Sequence, residues 1–285
     1  MSGAALEACT NAAASVDIIF SASHGLPVAT ATIGQPLFTN RSAFRWFGSA
    51  SELAMKISAT KANVLLSAGC HHILSQEVIQ SLEFGCFNVH PSLLPKYRGY
   101  SPIFWQYQQG DRQAGVTVHR MDSGVDTGAV VCQEGFEIPL GSPLSEVVPL
   151  YSAAAGRLVA TLMGLVVTRQ VPTRRQDDLP GLLIARKPKA EDYRIEWDRW
   201  PLERIWHFLR MDQAVADRSI ALIDDTGEGK ESIATGDREQ SFCWEVGRIE
   251  WDSTSGVSGT VIKDAQGYAI HHPEGKIRLR RRSRN

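Results

Sequence analysis

The stretch FNVHPSLLPKYRGYSP, residues 87–102, decides how the rest of the chain is read. Cys86-Phe87-Asn88-Val89 is apolar enough to end a buried strand. On a strand, residues two apart face the same way, so Asn88 and His90 project together. Pro91, Pro95 and Pro102 then restrict the backbone. A chain that stiffens its exit from a strand directly after two polar side chains is holding those side chains in place. In an open parallel sheet the C-terminal strand ends face the ligand crevice, which makes residues 88–90 the first candidate site.

Working outward, short apolar strands alternate with helical patterns. Upstream, residues 3–14, 26–33, 51–59 and 75–82 read as helices, and 16–20 and 63–67 as strands. Downstream, a helix runs from Pro102 to Gln109 and stops at Gly110, strands follow at 116–121 and 128–137, and 144–167 is mostly helical despite Pro149. Alternation of this kind predicts an α/β domain with a doubly wound, mostly parallel, Rossmann-like sheet. Residues 169–180 are polar and proline-bearing, as a linker is. A helix with an i, i+3, i+4 apolar stripe is expected over 200–210. Five short strands should follow at 220–223, 242–244, 259–262, 268–270 and 276–279, set apart by Gly and Asp turns. They predict a smaller C-terminal β-rich domain, OB-like or a sandwich. The expected layout is a first domain over 1–168, a linker over 169–190 and a second domain over 191–285.

Bulk properties narrow the class. A formal net charge of −1 gives no overall field that would draw the chain onto nucleic acid or an anionic membrane, although residues 276–284 are strongly basic. Five cysteines lie far apart with no C-x-x-C pair, which favours neither a zinc site nor a disulfide framework and fits a reducing, cytoplasmic setting. No apolar run is read as reaching the ~20 residues that span a bilayer, so no membrane partner is expected. Adjacent histidines rarely chelate one ion, so His71-His72 and His271-His272 are read as surface or backbone-lining groups and no metal is expected. Trp206, Phe208 and Leu209 are read as core.

A second polar cluster, Asp122-Ser-Gly-Val-Asp126-Thr-Gly128, leaves the 116–121 strand as a glycine-punctuated loop. A carboxylate there can turn back toward His90. Asn, His and Asp together suit acyl transfer to an amine: amide and imidazolium stabilise a tetrahedral oxyanion, and the carboxylate supports the cation and helps move the amine's proton. Taken singly, each residue has a plainer reading, with Asn88 closing a turn, His90 capping it and Asp126 forming an Asx turn.

The pair FNVHPSLLPKYRG and GVTVHRMDSGVDTG resembles the 10-formyltetrahydrofolate-dependent formyltransferases, of the methionyl-tRNA and amino-sugar N-formyltransferase kind. The family pattern is Asn-x-His-x-Ser-Leu-Leu-Pro followed by Asp-x-Gly-x-Asp-x-Gly. Asn88, His90 and Asp126 fall on its catalytic positions. The resemblance implies that residues 68–74 (Gly69, His71, His72, Ile73 and Leu74 among them) hold the pterin ring, with Arg120, Met121, Asp122 and Asp126 as the second wall. It also implies 10-formyltetrahydrofolate as formyl donor and a second domain like that of the family's methionyl-tRNA and amino-sugar members.

Two departures bear on the acceptor. The family begins with a strand and loop before its first helix, and this chain is expected to begin inside that helix, lacking the first strand. The basic insertion of the methionyl-tRNA enzymes is replaced by Ser21-Ala-Ser-His24-Gly25, without Lys or Arg. The expected acceptor is therefore a small primary amine such as a nucleotide-linked amino sugar. Methionyl-tRNA is the runner-up, and a non-catalytic folate- or RNA-binding relative is a third reading. Oligomeric state is left open.

Overall fold

The computed structural model describes residues 18–21, 44–47, 49–59, 63–69, 73–177, 181–221, 242–251 and 258–283. The helices expected at 3–14 and 26–33, together with His71 and His72, lie outside these residues. Two short strands, β1 (Ile18–Ser21) and β2 (Phe44–Phe47), pair in parallel; β2 was not anticipated from the sequence.

The chain divides into two compact units that interleave in sequence, one of Met1–Ile103, Gln113–Glu137 and Val148–Arg186, the other of Phe104–Arg112, Ile138–Val147 and Lys187–Asn285. The first is built on a four-stranded sheet in the order β3 (Val64–Ala68), β4 (Gly85–His90), β5 (Gln113–Arg120), β6 (Val130–Glu137). β3 and β4 are parallel, whereas β4–β5 and β5–β6 are antiparallel. The described sheet is thus mixed rather than mostly parallel, and for β5–β6 the cause is local. β5 and β6 are joined by the nine-residue glycine loop 121–129, far shorter than a parallel crossover requires.

Helices α1 (Ala50–Ser58) and α2 (Gln76–Ser81) complete the expected pattern here. Ser49 caps α1, its hydroxyl accepting the Glu52 N–H at 3.2 Å. Ile57, Leu74, Val78, Leu82 and Cys86 form one apolar cluster. Cys86 lies on the β4 face that, further along, carries Asn88 and His90, so one strand face passes from core to polar site. β5 is buried from Ala114 to His119, as a central strand is.

Helix α3 (Pro102–Gln109) starts on a proline, which fits a first helical turn, and ends at Gly110, where φ is +68°. Helix α4 (Leu144–Val167) keeps Pro149 within its first turns. By length and composition it could cross a membrane, against the expectation that no segment could. Val147, Tyr151, Ala154, Leu158, Leu162 and Val166 are all buried at helical spacing, and Arg157 pairs with Glu134 on β6, so one face packs on protein. The stretch after α4 is tied down more firmly than a linker: Val130 and Arg174 exchange two backbone hydrogen bonds of 2.8 Å, and Gln176 is buried.

In the second unit, α5 (Leu202–Arg210) buries Leu202, Ile205, Phe208 and Leu209, while Trp206 is half-buried and donates its indole N–H to the Gly247 carbonyl at 2.8 Å. Helix α6 (Gln213–Ala221) absorbs Ile220, where the sequence predicts the start of a strand; Val215, Ala216, Ser219 and Ile220 form one buried helical stripe instead. Strands β7 (Phe242–Trp251), β8 (Val261–Asp264), β9 (Gly267–His272) and β10 (Gly275–Ser283) form an antiparallel sheet in the order β7-β10-β9-β8. His271 and His272 are buried rather than on the surface; His272 Nε2 donates to the Trp200 carbonyl at 3.0 Å.

Candidate active site

β4 ends at His90, and the backbone after it is fixed by a net of hydrogen bonds. The Ser92 hydroxyl donates to the Lys96 carbonyl at 2.7 Å, and the Thr117 hydroxyl on β5 donates to the Ser92 carbonyl at 2.7 Å and accepts the Leu94 N–H at 3.1 Å. Gln133 on β6 donates to the Leu94 carbonyl at 2.8 Å. The proline-rich stretch is therefore a stay. It brings Tyr97 and Gly99 back over the strand end, with Gly99 at φ +121°, where an added Cβ would lie 2.9 Å from the Ala185 carbonyl oxygen.

Asp126 occupies the centre. Its Oδ2 accepts the Gly99 N–H at 2.9 Å and lies 3.5 Å from His90 Nδ1; its Oδ1 accepts from Asn88 Nδ2 at 3.2 Å and lies 3.3 Å from His119 Nε2. The loop that places it is closed by Asp122, whose Oδ1 accepts the Gly124 N–H at 3.0 Å and the Thr127 hydroxyl at 2.7 Å. Asp126 itself has φ +54°. Gln176 secures the loop from outside, donating to the Asp126 and Gly128 carbonyls at 2.8 and 2.7 Å while accepting from Arg98 Nε at 2.9 Å.

Electrostatics follow from burial and these contacts. Burial pushes the Asp126 carboxyl up, but His119, His90 and the Gly99 N–H outweigh it and hold the group below the usual carboxylate range. Burial pulls the His90 imidazole down, and the opposing pull of Asp126 and the Tyr97 carbonyl does not fully offset it, so His90 sits below the usual histidine value. His90 Nε2 donates to the Tyr97 carbonyl at 2.8 Å. Only Nδ1 is therefore left to face Asp126, and a hydrogen bond forms there when the ring is cationic. A buried carboxylate beside an imidazole that gains a proton, with an amide alongside, can bind an oxyanion and pass a proton.

The structure brings Asn88, His90 and Asp126 together. The proposed donor-binding residues are more dispersed. Gly69 ends β3 at φ +66°, Ile73 is 60% exposed, and Leu74 is buried in the apolar cluster. Arg120 points away from the triad, because it pairs across the strands with Phe87: its guanidinium lies 5.0 Å over that ring and donates to the Phe84 carbonyl at 3.4 Å. Met121 packs against the apolar cluster, and Asp122 shapes the loop. Sequence reasoning missed His119 and Gln176. His119 stands directly opposite Asn88 in the β4–β5 register, a neighbour that a parallel pairing does not predict.

Residues 7–147 match the family described as formyl transferase, which places this segment in the formyltransferase family. Over 159 residues the chain is 37% identical to methionyl-tRNA formyltransferase of Anaeromyxobacter dehalogenans (strain 2CP-1 / ATCC BAA-258), covering 55% of this chain and 50% of that protein. It thus spans about half the length of the curated relatives it matches. Two solved structures share the fold. HypX from Aquifex aeolicus in complex with tetrahydrofolic acid has a TM-score of 0.59 at 14% identity, over 95% of this chain and 45% of that one. The N-formyltransferase from Helicobacter canadensis, in complex with folinic acid and dTDP-3-aminofucose, has a TM-score of 0.57 at 15% identity, over 93% and 99%.

Proposed function

We propose that this chain moves a formyl group from 10-formyltetrahydrofolate to a primary amine, with a small nucleotide-linked amino sugar as the acceptor. The convergence of Asn88, His90 and one Asp126 carboxylate behind a braced loop carries the reading. The amine nitrogen attacks the formyl carbon, and its carbonyl oxygen becomes an oxyanion facing the Asn88 amide and the His90 imidazolium. The bond from carbon to the folate nitrogen then breaks. The amine gives up one proton and the departing nitrogen takes one, with Asp126 and His90 holding it between. Gly69, Ile73 and Leu74 on one side and Met121 and Asp122 on the other are the candidate walls for the donor.

The choice of acceptor rests on charge. Lys276, Arg278 and Arg248 converge on Glu250, with oxygen contacts of 3.8, 2.8 and 2.8 Å, and Arg282 meets Glu245 at 3.0 Å. The basic strand β10 therefore spends much of its charge within its own sheet, leaving less for a phosphate backbone. Methionyl-tRNA is the second reading, because the similar Anaeromyxobacter protein bears that name. Incubating the chain with 10-formyltetrahydrofolate and either nucleotide amino sugars or methionyl-tRNA, and following free tetrahydrofolate and the formylated product, tests both. Folate binding without release under any acceptor would overturn the enzyme in favour of a binding protein.

A further inference from the structure

The Gln176 side chain is engaged at both polar atoms, and its partners belong to the two loops that meet at Asp126, 97–101 and 121–129. Its Nε2 donates to the Asp126 carbonyl at 2.8 Å and to the Gly128 carbonyl at 2.7 Å, and its Oε1 accepts from Arg98 Nε at 2.9 Å. Carbonyls only accept and a guanidinium only donates, so the amide has one orientation open to it. Gln176 is 5% exposed and Arg98 8%, which leaves little water to replace either partner. The neighbouring backbone ties the same segment to both loops. Arg174 and Val130 exchange two hydrogen bonds just past the carboxylate loop, while Ala185 donates to the Arg98 carbonyl at 2.7 Å and accepts the Ser101 N–H at 2.8 Å. Asp122 works differently: its bonds to Gly124 and Thr127 lie within the 121–129 loop, so they shape the loop without locating it.

We propose that Gln176 is a positioning residue for formyl transfer, one that aims the Asp126 carboxylate at His90 by holding the 121–129 loop against Arg98. The proposal rests on the reading of Asp126 as the partner of His90 in the reaction. Asp126 is a non-glycine residue at φ +54°, a left-handed conformation that persists only where its surroundings impose it. The two carbonyls that Gln176 draws together lie on either side of Thr127. Without the shared NH2 group they repel, and the turn can relax. The carboxylate then leaves a narrow setting, with Oδ2 2.9 Å from the Gly99 nitrogen and 3.5 Å from His90 Nδ1. Arg98 completes the arrangement because it directly precedes Gly99: the residue that Gln176 holds is the neighbour of the amide that Asp126 accepts. Gln176 acts through main-chain carbonyls and one guanidinium, not on the reacting atoms.

Two substitutions in the whole chain separate the contacts. Gln176→Met keeps the length and loses all three bonds, whereas Gln176→Glu keeps an acceptor for Arg98 and sets oxygen against the two carbonyls. Without any ligand, exchange of the Gly99 amide hydrogen is followed by nitrogen-15 NMR, with Val118 in β5 as the reference. Both variants should speed Gly99 exchange by about tenfold or more beyond any change at Val118. In turnover each should lose about ten- to a hundredfold in kcat, the cost of a carboxylate displaced by about an ångström, while KM for the folate changes less. In an Asp126→Asn background Gln176→Met should cost no more than about threefold, since the group it aims is gone. A kcat near wild type, losses that multiply in the double variant, a Gly99 amide as protected in Gln176→Glu as in wild type, or a loss confined to KM would each overturn the proposal. If neither variant folds, the wild-type spectrum decides: both Gln176 side-chain N–H hydrogens should exchange slowly, and exchange as fast as that of a solvent-exposed amide would refute the positioning role. Because the exchange measurements need no substrate, a Gly99 amide that loosens in a chain without formyl transfer would refute the proposed function and leave Gln176 as the group that locates Asp126.

Discussion

Replacing Asp126 with asparagine removes one charge and turns the oxygen that accepts from Asn88 Nδ2 into an NH2 donor. An asparagine oxygen can still accept the Gly99 N–H at 2.9 Å, and the Gln176 bonds use main-chain carbonyls, so the loop should keep its course. What disappears, beside the Asn88 hydrogen bond, is attraction for the His90 cation. At the 3.5 Å between Nδ1 and Oδ2, opposite unit charges attract by about 5 kcal/mol at an effective dielectric of 20 and about 1 kcal/mol in bulk water. The Asp126 side chain is 14% exposed, nearer the first limit. With tenfold in rate per about 1.4 kcal/mol, kcat should fall by roughly a hundredfold to a thousandfold. The pH profile should move as well. Asp126 is an influence raising the His90 pKa, so without it His90 takes up its proton only at lower pH, and residual activity should peak further into acid. Single-turnover release of tetrahydrofolate, alongside binding of a non-transferable folate, separates chemistry from affinity. A variant with intact folate binding and near wild-type turnover at neutral pH would refute the assignment.

Four further outcomes follow from the geometry. Gly128→Ala would drive a Cβ into the Arg120 carbonyl oxygen, so the loop must shift; a loss of ~1–3 kcal/mol in urea unfolding is expected together with most activity, and an unchanged unfolding midpoint would contradict the close approach. His207, buried and stacked on Tyr107 at 4.4 Å, is pushed down to about 4 by burial, with Arg112 adding to the shift. The native state then binds fewer protons than the unfolded one below about pH 6.5, so stability is full above that value and falls by up to about 3 kcal/mol as pH drops toward 4. Unfolding midpoints that lose this slope in His207→Phe would bear the account out, and an identical slope would not. Binding of tRNA should be weak, with a shallow dependence on salt that flattens further in Arg280→Gln; a steep slope or efficient formylation of methionyl-tRNA would sink the small-amine reading. Trypsin should spare Arg174, whose backbone is paired with Val130, and an early cut there would show that residues 169–177 behave as a free linker.

The parts of the site readable from sequence were those set by local periodicity and covalent stiffness. Strand alternation put Asn88 beside His90, the prolines marked the braced exit, and glycine spacing marked the Asp126 loop. Pro102 and Gly110 bounded a helix for the same local reasons. His119 escaped because its place depends on antiparallel register with Asn88, and alternating strands and helices had argued for parallel pairing. Gln176 escaped because nothing near it in sequence distinguishes a buried amide from a solvated one. Ile220 was misplaced because a short apolar run fits strand and helix alike, until the residues one turn earlier are seen to be buried.

The Gln176 clamp has a practical consequence for anyone dividing this chain. The segment that matches the formyl transferase family ends at residue 147, yet the amide that closes off the Asp126 and Gly128 carbonyls comes from well beyond it. A fragment cut at the family boundary would keep every residue of the triad but lose most of α4, whose buried face packs on protein, along with the strut that holds the carboxylate loop shut. Two inward-facing carbonyls would be left to water or to each other's repulsion. Such a fragment should perform poorly, and carrying the chain through residue 177 should restore both the helix face and the loop. The sequence motif and the working unit have different ends.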